Sequence, residues 1–364
     1  MPQFIPGLEL SRLFVEEAIH PILSEHFSDL AHAAALIGTG SDVLGFDTDM
    51  STDHDWGPTV LIFLREQDAY LADKIRGVLS FNLPHMFCGY PVNDAEARDE
   101  PETRLMQLTT EGVLNHRVFI TTLRAFCLRY LAYDIDQPLD AADWLTFPSQ
   151  KLRAITAGAV YHDGVGQLTE LRKRLAWYPH DIWLFLLASG WQRIGQEEHL
   201  MPRAGFVGDE LGSAIIASRL VRDVMTLCFL MEKQYAPYPK WFGTAFKQLE
   251  SAGVLAPILW RVQCASTWQE RETAIGEAYE FLAFLHNGLG ITEKLPATVS
   301  SFFNRPFKVI QGGNFGHTIV AQITDPEVKR IASRGLIGSV DQFSDSTDIR
   351  SDPAWRAVLR GLYS

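Results

Sequence analysis

Two wholly apolar runs, "HAAALIG" at 32–38 and "TVLIFL" at 59–64, most constrain how this chain can fold. Neither alternates with polar residues, and the second is rich in β-branched side chains. Such segments are stable as strands buried on both faces of a sheet. Between them lies a stretch that cannot be buried, with aspartates at 42, 47, 49, 53 and 55 and several glycines. The chain must therefore form a covered sheet and carry an acidic connection at its edge. "HRVFITTL" at 116–123 and "AVYHD" at 159–163 read as further strands. Helical patterns fill the intervals. Residues 8–27 place Leu10, Leu13, Phe14, Ala18 and Ile22 on one face, with a kink expected at Pro21.

From about residue 181 only helical periodicity remains. Residues 209–235 align Leu211, Ile215, Ala217, Leu220, Val224, Leu227 and Leu230 near one stripe. Three more helical segments follow, with Gly288 and Gly290 as candidate C-caps. The expected fold is α+β: a mixed sheet with flanking helices, then an α-helical bundle. The expected domains are residues 1–178, 179–297 and a mixed C-terminal extension, 298–364.

With 47% hydrophobic and 21% charged residues the chain is composed for a packed core. A net charge of −12 opposes binding to long nucleic acid. Cysteines 88, 127, 228 and 264 form no CxxC pair and read as buried thiols of a reducing compartment. No secretory leader pattern and no apolar run long enough for a bilayer are visible, so a cytoplasmic protein without a membrane partner is expected.

Asp53 and Asp55 are two residues apart. In an extended backbone both carboxylates share a face, with His54 turned away. Paired carboxylates suit a divalent cation, and Mg2+ takes them together with phosphate oxygens. Gly40–Ser41 closes the first apolar run and can offer backbone N–H groups and a hydroxyl to a triphosphate. The plain alternative is a solvated loop, because Asp and Ser often bond their own backbone.

The order of apolar strand, Gly-Ser, eleven-residue spacer, Asp-x-Asp and second strand resembles the DNA polymerase beta-type nucleotidyltransferase superfamily. "AGAVYHDGVGQLTELRKRL" and "RLVRDVMTLCFLMEKQYAPYPKWFGTAF" resemble its aminoglycoside nucleotidyltransferase-like branch. The whole chain, including "VDQFSDSTD", is similar to an uncharacterised bacterial domain-of-unknown-function family placed in that superfamily.

The resemblance implies a nucleotidyltransferase-type N-terminal domain and a transferase of phosphorus-containing groups. A nucleoside monophosphate would pass from an NTP, with ATP expected, to a hydroxyl of a small molecule or protein. It implies Asp53 and Asp55 as catalytic ligands of one or two Mg2+ ions, and Gly40, Ser41 and Lys240 as nucleotide-binding residues. Glu210, or Asp209 beside it, would be the general base, although acids there also suit a helix N-terminus. Arg219 and Arg222 are candidates to neutralise phosphate, or else form a salt-bridged helix face. Many members carry a third carboxylate on a later strand. "NHRVFITTL" has none, and only Glu111 and Asp163 lie nearby. The alternative function is therefore a catalytically weak nucleotide- or partner-binding protein of the same fold.

Other motifs read plainly. His54 and His162 each neighbour an acid, as surface histidines often do. Asp352 with Pro353 reads as a helix cap. "QGGNFGH" at 311–317 lacks the strand-glycine-helix setting of a dinucleotide site.

Overall fold

The computed structural model describes residues 3–96 and 104–364. It resolves into two compact units: Met1–Pro138 with Lys151–Ala176, and Leu139–Gln150 with Trp177–Ser364. This partition runs differently from the three segments expected. Residues 298–364 fall in the same unit as the helices, and the chain visits the second unit briefly before its long helical stretch.

The first unit is built on four strands, β1 (His32–Leu36), β2 (Thr59–Leu64), β3 (Arg117–Thr122) and β4 (Ala159–Asp163). Their order is β3-β2-β1-β4. β1 is antiparallel to both β2 and β4, while β2 and β3 are parallel. Every residue of β1 and β2 is buried, as their unbroken apolar sequences require. β3 is an edge strand and alternates: Val118, Ile120 and Thr122 are buried and Phe119 is exposed. The sheet is thus mixed and flanked by helices, as expected.

Residues 7–26 are continuously helical, with a π-helical turn at Val15–Ile19 just before Pro21. Proline has no N–H to donate and its ring crowds the carbonyl four residues back, so a wider turn ahead of it relieves the conflict. Leu10, Phe14, Ala18 and Ile22 are buried, and Leu13 packs at the margin of the same cluster.

In the second unit the main helices are His180–Glu197, Glu210–Met231, Ala252–Cys264 and Trp268–Gly288. The stripe expected on the Glu210–Met231 helix is right only beyond its first turns. Ala217, Leu220, Val224, Leu227 and Leu230 are buried, whereas Leu211 and Ile215 are 73% and 55% exposed. Near the helix start the inward position belongs to Ser213, which accepts a hydrogen bond from the buried Arg271 at 2.9 Å. Gly290 has φ +64°, as a chain leaving a helix often needs, whereas Gly288 is the last residue of its helix and Leu289 the C-cap. Two of the four cysteines, Cys88 and Cys264, are exposed rather than buried.

The C-terminal residues are tied into this unit by charge. Arg356 and Arg360 donate to Asp143, and Arg360 also to Asp140 at 2.6 Å. Among the described residues no helix is long and apolar enough to cross a membrane.

Candidate functional site

Because β1 and β2 are antiparallel neighbours, the 37–58 connection must turn at one end of the sheet. Gly40, Ser41, Asp53 and Asp55 all lie in it. Gly40 is required by close approach: a Cβ there would fall 2.1 Å from Asp42 Oδ1. The turn that follows uses the Ser41 carbonyl, which accepts from Phe46 N at 2.9 Å.

Two acids of this connection are structural. Asp42 is buried, and its Oδ1 accepts from the Val43 N–H at 2.9 Å. Burial pushes its pKa up to about 6, with Asp47 adding to the effect and Arg117 opposing it. Asp47 accepts from Gly7 N at 2.6 Å and from Trp56 Nε1 at 3.0 Å. One carboxylate thus holds the start of the Gly7–Phe14 helix and a buried tryptophan.

Asp53 and Asp55 are placed otherwise than expected. Thr48 and Ser51 form a reciprocal capping box that winds Asp49–Asp53 into a 3-10 turn. His54 is extended, and Asp55 has φ +48°. The backbone is therefore not a strand here, and the shared face that an extended segment would give is absent. Asp53 is open to solvent and interacts locally, 2.9 Å from His54 N and 2.9 Å from His54 Nδ1. Asp55 is fixed through its backbone, its N–H donating to Arg104 O at 2.9 Å. Trp56, anchored against Tyr90 with ring centroids 4.9 Å apart, then leads the chain into β2.

Arg117, the first residue of β3, is the site residue that sequence reading missed. It lies in register with Thr59. Its Nη2 donates to Asp55 O at 3.1 Å, its Nε to Thr59 Oγ1 at 3.1 Å, and its Nη1 is 3.7 Å from the Asp55 carboxylate. Asp94 Oδ1 lies 3.9 Å from the same Nη1, and Asp94 is itself bonded by Arg104 at 2.9 Å. The strand searched for a third carboxylate opens on a half-buried cation instead. The signal was in the sequence: the only charged residue of "NHRVFITTL" is Arg117.

Asp53 and Asp55 are 61% and 53% exposed, so both carboxylates are reachable by a hydrated cation. Their hard oxygens suit Mg2+, which is commonly held by one or two carboxylates with water and phosphate completing its shell. Among the described residues no three His, Cys, Asp or Glu side chains converge on a metal position.

The remaining candidates have other partners. Asp163 caps the Gln167–Arg174 helix, accepting from Gly166 N at 2.8 Å and Thr169 N at 2.9 Å. The His162 ring packs 4.8 Å from that of His32. In the second unit Asp209 caps its own helix, accepting from Gly212 N at 2.7 Å. Glu210 accepts from Trp268 N and from Arg271 Nη1, both at 3.1 Å, joining two helix N-termini. Arg219 pairs with Glu197, and Arg222 with Asp345. Lys240 is exposed, with Nζ 5.1 Å from the centroid of the Trp241 ring.

A family described as Domain of unknown function (DUF4037) matches residues 144–242. The chain is also similar to a solved structure, a nucleotidyltransferase-like protein from Exiguobacterium sibiricum 255-15, at 12% identity and a TM-score of 0.33. That likeness covers 76% of this chain and 78% of the other. No curated protein matches the chain.

Proposed function

We propose that the connection between β1 and β2 binds a Mg2+–nucleoside triphosphate, with ATP expected. On this reading the protein moves a nucleoside monophosphate to a hydroxyl of a small molecule or protein. The observation that carries it is the placement of Gly40–Ser41 and two exposed carboxylates, Asp53 and Asp55, in one connection at one end of a buried sheet. The Gly40–Ser41 backbone and the Ser41 hydroxyl would receive phosphate oxygens. Asp53 and Asp55 would hold Mg2+, which would neutralise phosphate charge and polarise the reacting phosphoryl group. Lys240 is an exposed cation suited to phosphate. Both Glu210 oxygens already hold N–H donors, so its first role is to tie two helices, and release from Arg271 would have to precede any service as a base.

Arg117 favours a second reading, nucleotide binding without transfer. A guanidinium beside Asp55 competes with a metal there and supplies positive charge to phosphate.

The test combines thermal melting with Mg2+–ATP and an assay for released pyrophosphate. On the first reading Mg2+–ATP raises the melting temperature by mass action and pyrophosphate appears once a hydroxyl acceptor is supplied. Asp53→Asn and Asp55→Asn lose the metal-dependent part of the shift, while Asp49→Asn keeps it. Asp47 is unsuitable as that control, because its carboxylate holds Gly7 and Trp56. A shift from ATP that is indifferent to Mg2+, is lost in Arg117→Met and yields no pyrophosphate establishes the second reading. No shift with any nucleotide leaves the acidic segment as a loop and defeats both.

A further inference from the structure

The second unit contains a cavity of about 340 Å3, within the size range of small-molecule sites. One wall is apolar and comes from the Glu210–Met231 and Pro239–Phe246 helices and the link between them, with Phe229, Leu230, Pro237 and Phe242. The polar lining comes largely from the stretch 339–350, with Asp341, Asp345 and Arg350, and from Arg222.

The hydrogen bonding of the polar wall is unbalanced. Asp341 accepts from Ser149 N at 2.7 Å and has Arg350 Nη1 at 3.9 Å, so its carboxylate is served. Arg350 is 91% buried, its side chain being 9% exposed, and among the described residues its Nε has no hydrogen-bond partner. A buried donor of a charged group left without an acceptor is costly and calls for a ligand or water. Arg222 pairs with Asp345, but that carboxylate is 75% exposed. An ion pair so open to water contributes little and exchanges readily. The donors open to a ligand are therefore the terminal nitrogens of Arg350 and, once Asp345 yields, those of Arg222, beside an aromatic surface.

We propose that this cavity binds a small organic anion, its apolar body against Phe229 and Phe242 and its carboxylate or phosphate head on Arg350 and Arg222. The head would lie against the terminal nitrogens of Arg350, whose one carboxylate neighbour among the described residues is 3.9 Å away, and take the place of Asp345 on Arg222. Asp341, held by Ser149, stays as the counter-charge that keeps Arg350 in position.

Calorimetric titration of the full chain without metal or nucleotide tests the site separately from the nucleotide reading. The probes are 3-phenylpropionate, phenyl phosphate, the neutral 3-phenylpropanamide and the cationic 3-phenylpropylamine. Saturable binding of either anion is expected, at least tenfold tighter than the amide and the amine. Binding of only the propionate assigns a carboxylate ligand, and binding of only the phosphate a phosphate monoester. Arg350→Met should lose at least tenfold in anion affinity. Because that change leaves Asp341 short of its cation, Arg222→Met at the more exposed rim provides the same test in a chain whose circular dichroism is unchanged. Equal or tighter binding of the amine overturns the proposal. So does the absence of saturable binding by both anions at millimolar concentration. Anion affinity unchanged in a folded Arg222→Met chain would also overturn it.

Discussion

Asp47 and Asp53 show how far residue type alone carries. Both are aspartates of one acidic stretch, yet Asp47 is a structural acceptor for Gly7 N and the Trp56 indole, whereas Asp53 is solvated beside His54. The sequence shows that acids gather between two buried strands. It does not show which of them face inward, because that depends on where the Gly7–Phe14 helix begins and how Trp56 packs. The Asp-x-Asp spacing was legible, but its extended backbone was not, since the Thr48–Ser51 capping box acts through local bonds that a period-2 pattern does not register. Asp47→Ala should cost about 2–4 kcal/mol, the loss of two hydrogen bonds leaving a backbone and an indole N–H without an acceptor. Asp49→Ala, at the start of the exposed 3-10 turn, should cost less than about 0.5 kcal/mol. Urea denaturation followed by tryptophan fluorescence measures both, and equal effects would contradict the assignment.

Among the elements, the four strands of the sheet and the long helices were readable because unbroken apolar runs and helical periodicity are strong signals. Pairing was less so, since nothing in "AVYHD" states that it lies beside β1 rather than beyond β3. "QGGNFGH" is the clearest case of a motif whose meaning is packing. The Gly312–Val320 helix lies on the His180–Glu197 helix so closely that a Cβ at Gly312 would fall 2.6 Å from Trp191 O, and one at Gly195 would fall 2.5 Å from Gly313 N. Trp191 stacks on Phe315 with centroids 4.2 Å apart. Glu198 completes the joint by accepting from the N–H groups of Ile310, Gln311 and Gly312 at 2.6, 3.2 and 3.0 Å. Glycine thus serves backbone approach between helices here, and no ligand is needed to explain it. Gly312→Ala and Gly195→Ala should each destabilise by about 1–3 kcal/mol through overpacking. Gly253→Ala, where a Cβ meets nothing within 4 Å among the described residues, should be neutral or stabilising by a few tenths. Chemical denaturation of the three variants decides between close packing and a dispensable loop.

Across the whole molecule, two sets of buried titratable groups act on stability with opposite sign. Burial pushes Asp42 up to about 6 from 3.8, and Glu198 up to about 7 from 4.5 despite its three N–H donors. Burial lowers His32, His116, His199 and His286, the last to about 4 from 6.5. For the acids the folded chain holds protons that the unfolded chain has released. Their contribution is full below the unfolded pKa and is lost as pH rises through the folded one. For the histidines the unfolded chain takes up protons that the folded chain refuses, so stability is lost as pH falls below 6.5. Between pH 4 and 6 the two trends run against each other, and single substitutions should separate them. Asn at position 42 keeps an acceptor for Val43 N and has no charge to bury. The stability of Asp42→Asn relative to the parent chain should therefore climb by up to about 3 kcal/mol from pH 4 to 6 and then level off. His286 lies against Phe315 and Trp191 with ring centroids 5.0 and 5.9 Å away, where burial penalises its charged form. His286→Gln should show the reverse slope, gaining on the parent chain as pH falls from 6.5 towards 4. Urea unfolding at half-unit pH intervals and fixed ionic strength gives both differences. Parallel slopes for the two variants would mean that a common charge effect, and not the burial of these two groups, sets the pH dependence.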